Sequence, residues 1–225
     1  MKDIIIAAVG SWNKEIFKDF TNYKDYRFHF ISSKTQLINK LKYVKPKIIF
    51  FIHWRNILEK KFIKKYFCIC FHMTDLPYGR GGSPLQNLIL KKKTITKLTA
   101  FKMNEKIDSG DYILKKKISL KGAAHEIYKR TSLKSLEMIK KILSTKIKFK
   151  KQRGKKIYFK RRSPFQSKIN NIRSLNDLYD FIRMLDAPSY PKAYLNIGNR
   201  KIFFYDAKLD NNKKTINCNI KLYDK

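Results

Sequence analysis

The chain has 225 residues and a mass of 26.9 kDa, enough for one large α/β domain or a medium one with an appendage. A hydrophobic fraction of 43% with 14% aromatics fills a core and excludes a disordered or collagen-like polymer. Lys and Arg number 52 against 17 Asp and Glu, a formal charge of +35, either clustered to meet phosphates or spread as solvation over every face.

The first apolar run, Ile4–Val9, is too short for a secretion signal core or a membrane span and reads as a buried strand stopped by Gly10-Ser11. Helical spacing follows over Asn13–Tyr23, a strand over Tyr26–Ile31, and a helix over Thr35–Val44. Ile48–Ile52 is the most apolar strand; a short helix near Ile57–Lys65 leads to a fourth strand, Phe67–Phe71. Continuous β-branched and aromatic runs alternating with helices predict a doubly wound parallel sheet, its ligand site at the strands' carboxyl ends. Further on come a helix at Leu85–Leu90, strands at Thr94–Met103 and Tyr112–Leu120, and a long amphipathic helix at Ala123–Leu143. The basic stretch Thr145–Lys156 lacks periodicity and reads as linker. Ser174 caps a helix over Leu175–Leu185, and Tyr194–Ile197 with Lys201–Tyr205 form a hairpin across Gly198-Asn199. Cysteines occur only at 68, 70 and 218, which argues against a disulfide framework and for a reducing compartment. The expectation is a soluble, cytoplasmic protein with no membrane insertion.

The segment from Phe71 to Asn87 leaves a buried strand and enters a helix, with His72, Leu76-Pro77 and a glycine-rich turn between. Such a histidine can face a cleft, and the glycines let backbone N–H groups approach a ligand. A turn holding a structural histidine is the competing reading. Cys68, Cys70 and His72 alternate on one strand face, but a fourth ligand at zinc spacing is missing, so no metal is expected. His29, His53 and His125 have no evident sequence partners; His53, beside Trp54, is the one singled out. Asp75 and Glu126 read as a loop cap and a helix surface charge.

With Leu76-Pro77, Arg80-Gly81 and Asp108-Ser109-Gly110 in that order, the chain resembles the formyltransferases that use 10-formyltetrahydrofolate, over about residues 45–225. The resemblance implies an α/β fold: a Rossmann-like, parallel-sheet formyltransferase domain over 1–150, a basic linker over 151–173, and a small helix-plus-hairpin module over 174–225. It implies catalytic roles for His72 and Asp108, and it places Cys70 where the family has an asparagine. A thiol is a weak donor to an oxyanion, which leaves that role open. Trp54, Arg55, Ile57 and Leu58 fall on the family's pterin-pocket segment, with Leu76 and Gly110 also beside the cofactor; the competing reading of Trp54 is plain core. Thr74, Arg80, Gly81, Gly82, Arg161 and Arg162 fall at substrate-binding positions. Arg80 suits a phosphate, the folate tail or plain solvation; Arg161 and Arg162 suit a diphosphate or an anchored linker.

Phe51–Trp54, the 71–88 segment, Ile182–Ala187 and Tyr190–Ala193 resemble the branch that formylates nucleotide-linked, in particular UDP-linked, amino sugars of the pseudaminic-acid type, for surface glycans. Only about 50 residues follow the linker, which counts against the methionyl-tRNA branch. The expected partner is therefore a nucleotide-linked amino sugar. Methionyl-tRNA formylation is the first alternative, with transfer RNA accounting for the charge, and a non-catalytic nucleic-acid-binding module the second. The family also implies a possible homodimer.

Overall fold

Strand β1 (Lys2–Ala8) is apolar without interruption and its residues Ile4 to Ala8 are buried to within 1%, because neighbours cover both faces. The structure, a computed structural model, describes residues 1–188, 190–212 and 214–223. After β1 come α1 (Ser11–Phe17), β2 (Asn22–Tyr23), β3 (Tyr26–Ile31), α2 (Lys34–Lys40), β4 (Ile48–Ile52), α3 (Lys60–Lys65), β5 (Cys68–His72) and β6 (Tyr78–Gly81). Then follow α4 (Pro84–Leu90), β7 (Ile95–Lys102), β8 (Tyr112–Ser119), α5 (Ala124–Ser144), β9 (Ile157–Phe159) and a 3₁₀ turn at Pro164–Ser167. The chain closes with α6 (Leu175–Leu185), β10 (Ala193–Ile197), β11 (Arg200–Leu209) and β12 (Ile216–Tyr223).

Packing divides the chain into two compact units. The first comprises Met1–Gly81, Thr96–Ile118 and Tyr128–Phe159; the second comprises Gly82–Ile95, Ser119–Ile127 and Lys160–Lys225. The first unit carries a seven-stranded sheet in the order β2-β3-β1-β4-β5-β7-β8. Pairs β1/β3, β1/β4 and β4/β5 are parallel, as the apolar runs predict. Two pairings depart from the doubly wound expectation. The predicted helix over Asn13–Tyr23 ends at Phe17, and Asn22 and Tyr23 instead pair antiparallel with β3. Strand β7 runs antiparallel to β5, with His72 opposite Thr99 and Ile69 opposite Lys102. The sheet is thus mainly parallel, within an α/β fold.

Strand β9 lies in the stretch read as linker and pairs parallel with β6, Gly81 opposite Phe159. In the second unit the expected hairpin gains a third strand, and β10, β11 and β12 form an antiparallel sheet. Helix α6 has the predicted bounds, and Ser174 Oγ accepts from the Asp177 amide at 3.1 Å. Helix α4 meets α6 within this unit: Gln86 Nε2 donates to Met184 O at 2.9 Å, and Lys92 pairs with Asp177 and Asp180.

Candidate active site around His72 and Asp108

Strand β5 brings His72 to its carboxyl end, and the side chain is buried. Its Nε2 lies 2.8 Å from Gly79 O. A carbonyl oxygen only accepts, so Nε2 carries the proton and the neutral ring leaves Nδ1 bare. That Nδ1 faces Asp108 Oδ2 at 3.6 Å, an ion-pair distance longer than a hydrogen bond. The bond to Gly79 fixes the tautomer, and Asp108 stands ready for a charge on the other nitrogen. Thr74 Oγ1 donates to the same Gly79 carbonyl at 3.2 Å, while Thr99 Oγ1 holds Thr74 O at 2.6 Å. The Leu76–Pro77 peptide of this loop is cis.

Asp108 reaches His72 although β7 ends opposite Ile69, three residues before it, because the turn after β7 folds back over β5. The Gly81 amide donates to Asp108 Oδ2 at 2.8 Å. Gly110 lies under Lys102 O, where a Cβ would stand 1.7 Å from that oxygen, so only glycine fits. Gly81 has φ +101° and lies against Phe159 O, so its own Cβ would approach to 2.5 Å.

Sequence reasoning missed Gln152. Its Nε2 donates to Asp108 O at 2.9 Å and to Gly110 O at 2.7 Å, pinning the turn from behind. Its Oε1 accepts from Arg80 Nε at 3.2 Å and from Arg80 Nη2 at 2.7 Å. Arg80 also donates to the Tyr158 hydroxyl at 3.3 Å and is 5% exposed. The guanidinium expected to meet a ligand is therefore interior, spent on Gln152. No pattern in the basic stretch around Gln152 marks it, because its role is fixed by two loop carbonyls distant in sequence.

Cys70 lies on the same strand face as His72. Its thiol is pushed well above the ordinary range, first by burial and then by the charges of Asp108 and Cys68, so it stays protonated. Asp75 is an ion-pair centre and no mere loop cap: Lys115 Nζ lies 2.6 Å and Lys97 Nζ 2.8 Å from its carboxylate. Burial works to raise its pKa, and the hydrogen bonds from the two lysines outweigh this and lower it. Glu126 accepts from the Ala123 amide at 2.7 Å and so caps α5.

The expected pterin-pocket residues separate. Leu58 is buried in a core cluster with Trp54 packed against it, whereas Ile57 is 82% exposed and Arg55 is exposed. His53, at the end of β4, accepts at Nδ1 from the Trp12 indole at 3.1 Å, so Nε2 carries the proton. Burial, with Arg55 nearby, pushes its pKa down to about 3. His53 Nε2 and Trp54 Nε1 are buried N–H groups with no acceptor among the described residues. His29 pairs with Asp3 at 2.7 Å, and His125 Nδ1 lies 3.2 Å from Asp186 O. No group of three or more metal-capable side chains occurs among the described residues.

The remaining candidates belong to the second unit. Gly82 lies against Arg161, the Arg162 amide donates to Ser83 Oγ at 3.0 Å, and the Arg162 guanidinium stacks over Phe181 and donates to Gln166 O. Burial lowers the pKa of Arg162.

A family model for formyl transferase matches residues 13–143, and one for the C-terminal domain of methionyl-tRNA formyltransferase matches 164–223. The chain is 38% identical to a solved methionyl-tRNA formyltransferase from Clostridium thermocellum, with a TM-score of 0.94 and all of both chains covered. Methionyl-tRNA formyltransferase from Clostridium botulinum is 29% identical over 77% of this chain and 58% of its own length. The chain spans about half the length of the curated methionyl-tRNA formyltransferases it matches, 57–60% for several. A sugar N-formyltransferase from Shewanella is 18% identical with a TM-score of 0.67, covering 91% of this chain and 97% of that one, a likeness of fold alone.

These findings overturn the amino-sugar expectation. The full-length likeness is to a methionyl-tRNA formyltransferase, and the short C-terminal segment that counted against it matches that enzyme's own C-terminal domain. The physical reason lies in the residues that favoured sugar. Arg183 is buried and donates to Asp180, Leu120 O and Gly122 O; Asp186 binds Lys192 and the Asp206 amide. They hold the second unit together and say nothing of a substrate.

Proposed function

The chain belongs to the formyltransferase family, and from that membership we propose that it transfers the formyl group of 10-formyltetrahydrofolate to the amine of methionyl-tRNA. The observation that carries this reading is the likeness to the C. thermocellum enzyme over the whole of both chains. The net charge of +35 accords with an RNA partner, and three free cysteines accord with work in the cytoplasm.

The donor, when bound, supplies an activated one-carbon unit. Residues present here suit its flat, polar ring: the orphan donors His53 Nε2 and Trp54 Nε1 await acceptors, beside the apolar Leu58. The attacking amine must shed a proton. His72 takes it at Nδ1, the one ring nitrogen left bare by the bond to Gly79, and would return it to the donor's nitrogen as that nitrogen's bond to the formyl carbon breaks and the new amide bond forms. Asp108, held by the Gly81 amide, stabilises the resulting imidazolium across 3.6 Å. Gln152 positions Asp108, and Cys70 stays a neutral thiol, a weak donor at most. Incubating the purified chain with 10-formyltetrahydrofolate and methionyl-tRNA should yield N-formylmethionyl-tRNA. A folded chain giving none would refute the reading.

A further inference from the structure

Strand β8 is the last strand of the seven-stranded sheet and leaves the Asp108–Gly110 turn directly, Tyr112 lying four residues after Asp108. Beside it runs an open trough of about 710 Å³ lined by six lysines: Lys97, Lys115, Lys116, Lys117, Lys134 and Lys150. All belong to the first unit. Two carboxylates offset them. Asp75 takes Lys97 and Lys115, and Glu137 takes Lys134 at 2.5 Å. Lys116, Lys117 and Lys150 are exposed and in no ion pair among the described residues. Lys115 Nζ also donates to Leu76 O at 2.5 Å, so the trough's floor is tied to the loop that follows His72.

A cleft lined by one sign of charge focuses its field and gathers counter-charge. Lys150 pairs opposite Tyr112, and strand residues rise about 3.3 Å each, so the charge from Lys150 to Lys117 extends over about 17 Å, the length of a few backbone phosphates rather than of one small anion. We infer that this trough is the track for the phosphate backbone of the RNA substrate, leading its end toward the His72 loop. This rests on the methionyl-tRNA reading.

The test is the protein carrying Lys116→Gln, Lys117→Gln and Lys150→Gln together, compared with wild type for methionyl-tRNA binding between 50 and 300 mM KCl. Each lost phosphate contact lowers the slope of log affinity against log salt by about one, so a fall of about 2–3 is expected, with affinity at low salt down about tenfold or more. Thermal unfolding, kcat at saturating RNA and KM for 10-formyltetrahydrofolate should stay within about twofold. An unchanged salt slope would overturn the inference, as would an effect confined to the donor's KM, which would make the trough a seat for the folate's anionic tail. Wild-type formylation with an unaltered slope in the variant sinks the trough alone. Wild-type binding without formylation, weakened in the variant, sinks the proposed reaction alone.

Discussion

His72 is poised by bonds that leave it one free nitrogen, and the consequences are specific. His72→Asn or Asp108→Ala should lower kcat by on the order of 100- to 10,000-fold while the chain stays folded; near-full turnover in either would remove the proton-transfer assignment. Gln152→Ala should act through Asp108, lowering kcat with little change in KM for RNA, and Gln152→Glu should not restore it, since a carboxylate cannot donate to Asp108 O and Gly110 O. His53 tells a separate story in acid. Its folded pKa of about 3 lies below the unfolded 6.5, so between those values the unfolded chain binds the extra proton. Stability is undiminished above pH 6.5 and falls as pH drops toward 3, by about 1.4 kcal/mol per unit at most. In His53→Gln, denaturant midpoints measured from pH 7 to 4 should lose this part of the slope; an identical slope would show that His53 is not held neutral. Of this site, His72 and Asp108 were brought forward through the family resemblance carried by Leu76-Pro77, Arg80-Gly81 and Asp108-Ser109-Gly110, and the structure sets the two side chains 3.6 Å apart. Gln152 and the interior fate of Arg80 were not, because both follow from a turn that doubles back in space.

At the scale of elements, the buried parallel strands announced themselves because covering both faces demands unbroken apolar runs, as in Ile4–Ala8 and Ile48–Ile52. Short or edge elements carry weaker marks. β9 has three residues inside a basic stretch, and β12 has only the alternation Ile216, Cys218, Ile220 and Leu222, a period of two that could have revealed it. The antiparallel course of β7 has no local signature at all. Pairing between β1 and β3 is reinforced by Asp3, whose carboxylate takes Arg27 at 2.8 Å and His29 at 2.7 Å. Hydrogen bonds from Arg27 and then His29 hold its pKa down at about 2 against 3.8 unfolded. The stabilisation is therefore full above pH 3.8 and disappears as pH falls through 2. Solvent screening keeps it to about 1 kcal/mol. Asp3→Asn should cost that much at pH 7 and only a small part of it at pH 2; an equal cost at both would trace the loss to packing. Ser174→Ala, which strips the α6 cap, should cost about 1 kcal/mol in denaturant unfolding at any pH in that range.

For the whole molecule, a charge of +35 on 225 residues means self-repulsion in every compact state. Salt screens it, so Tm should rise between 20 and 300 mM NaCl by about 4 °C, equivalent to about 1–2 kcal/mol. A Tm that is flat or falling would show that ion pairs outweigh the repulsion. Composition revealed the charge but could not tell a uniform coat from a trough, since Lys97, Lys134 and Lys150 join Lys115–Lys117 only through folding.

The path of the chain between its two units carries a last consequence. It passes from one to the other five times, after residues 81, 95, 118, 127 and 159. No single cut in the gene therefore yields either half. A product ending at residue 159 would keep α4 yet lose Met184, Asp177 and Asp180, the partners of Gln86 and Lys92.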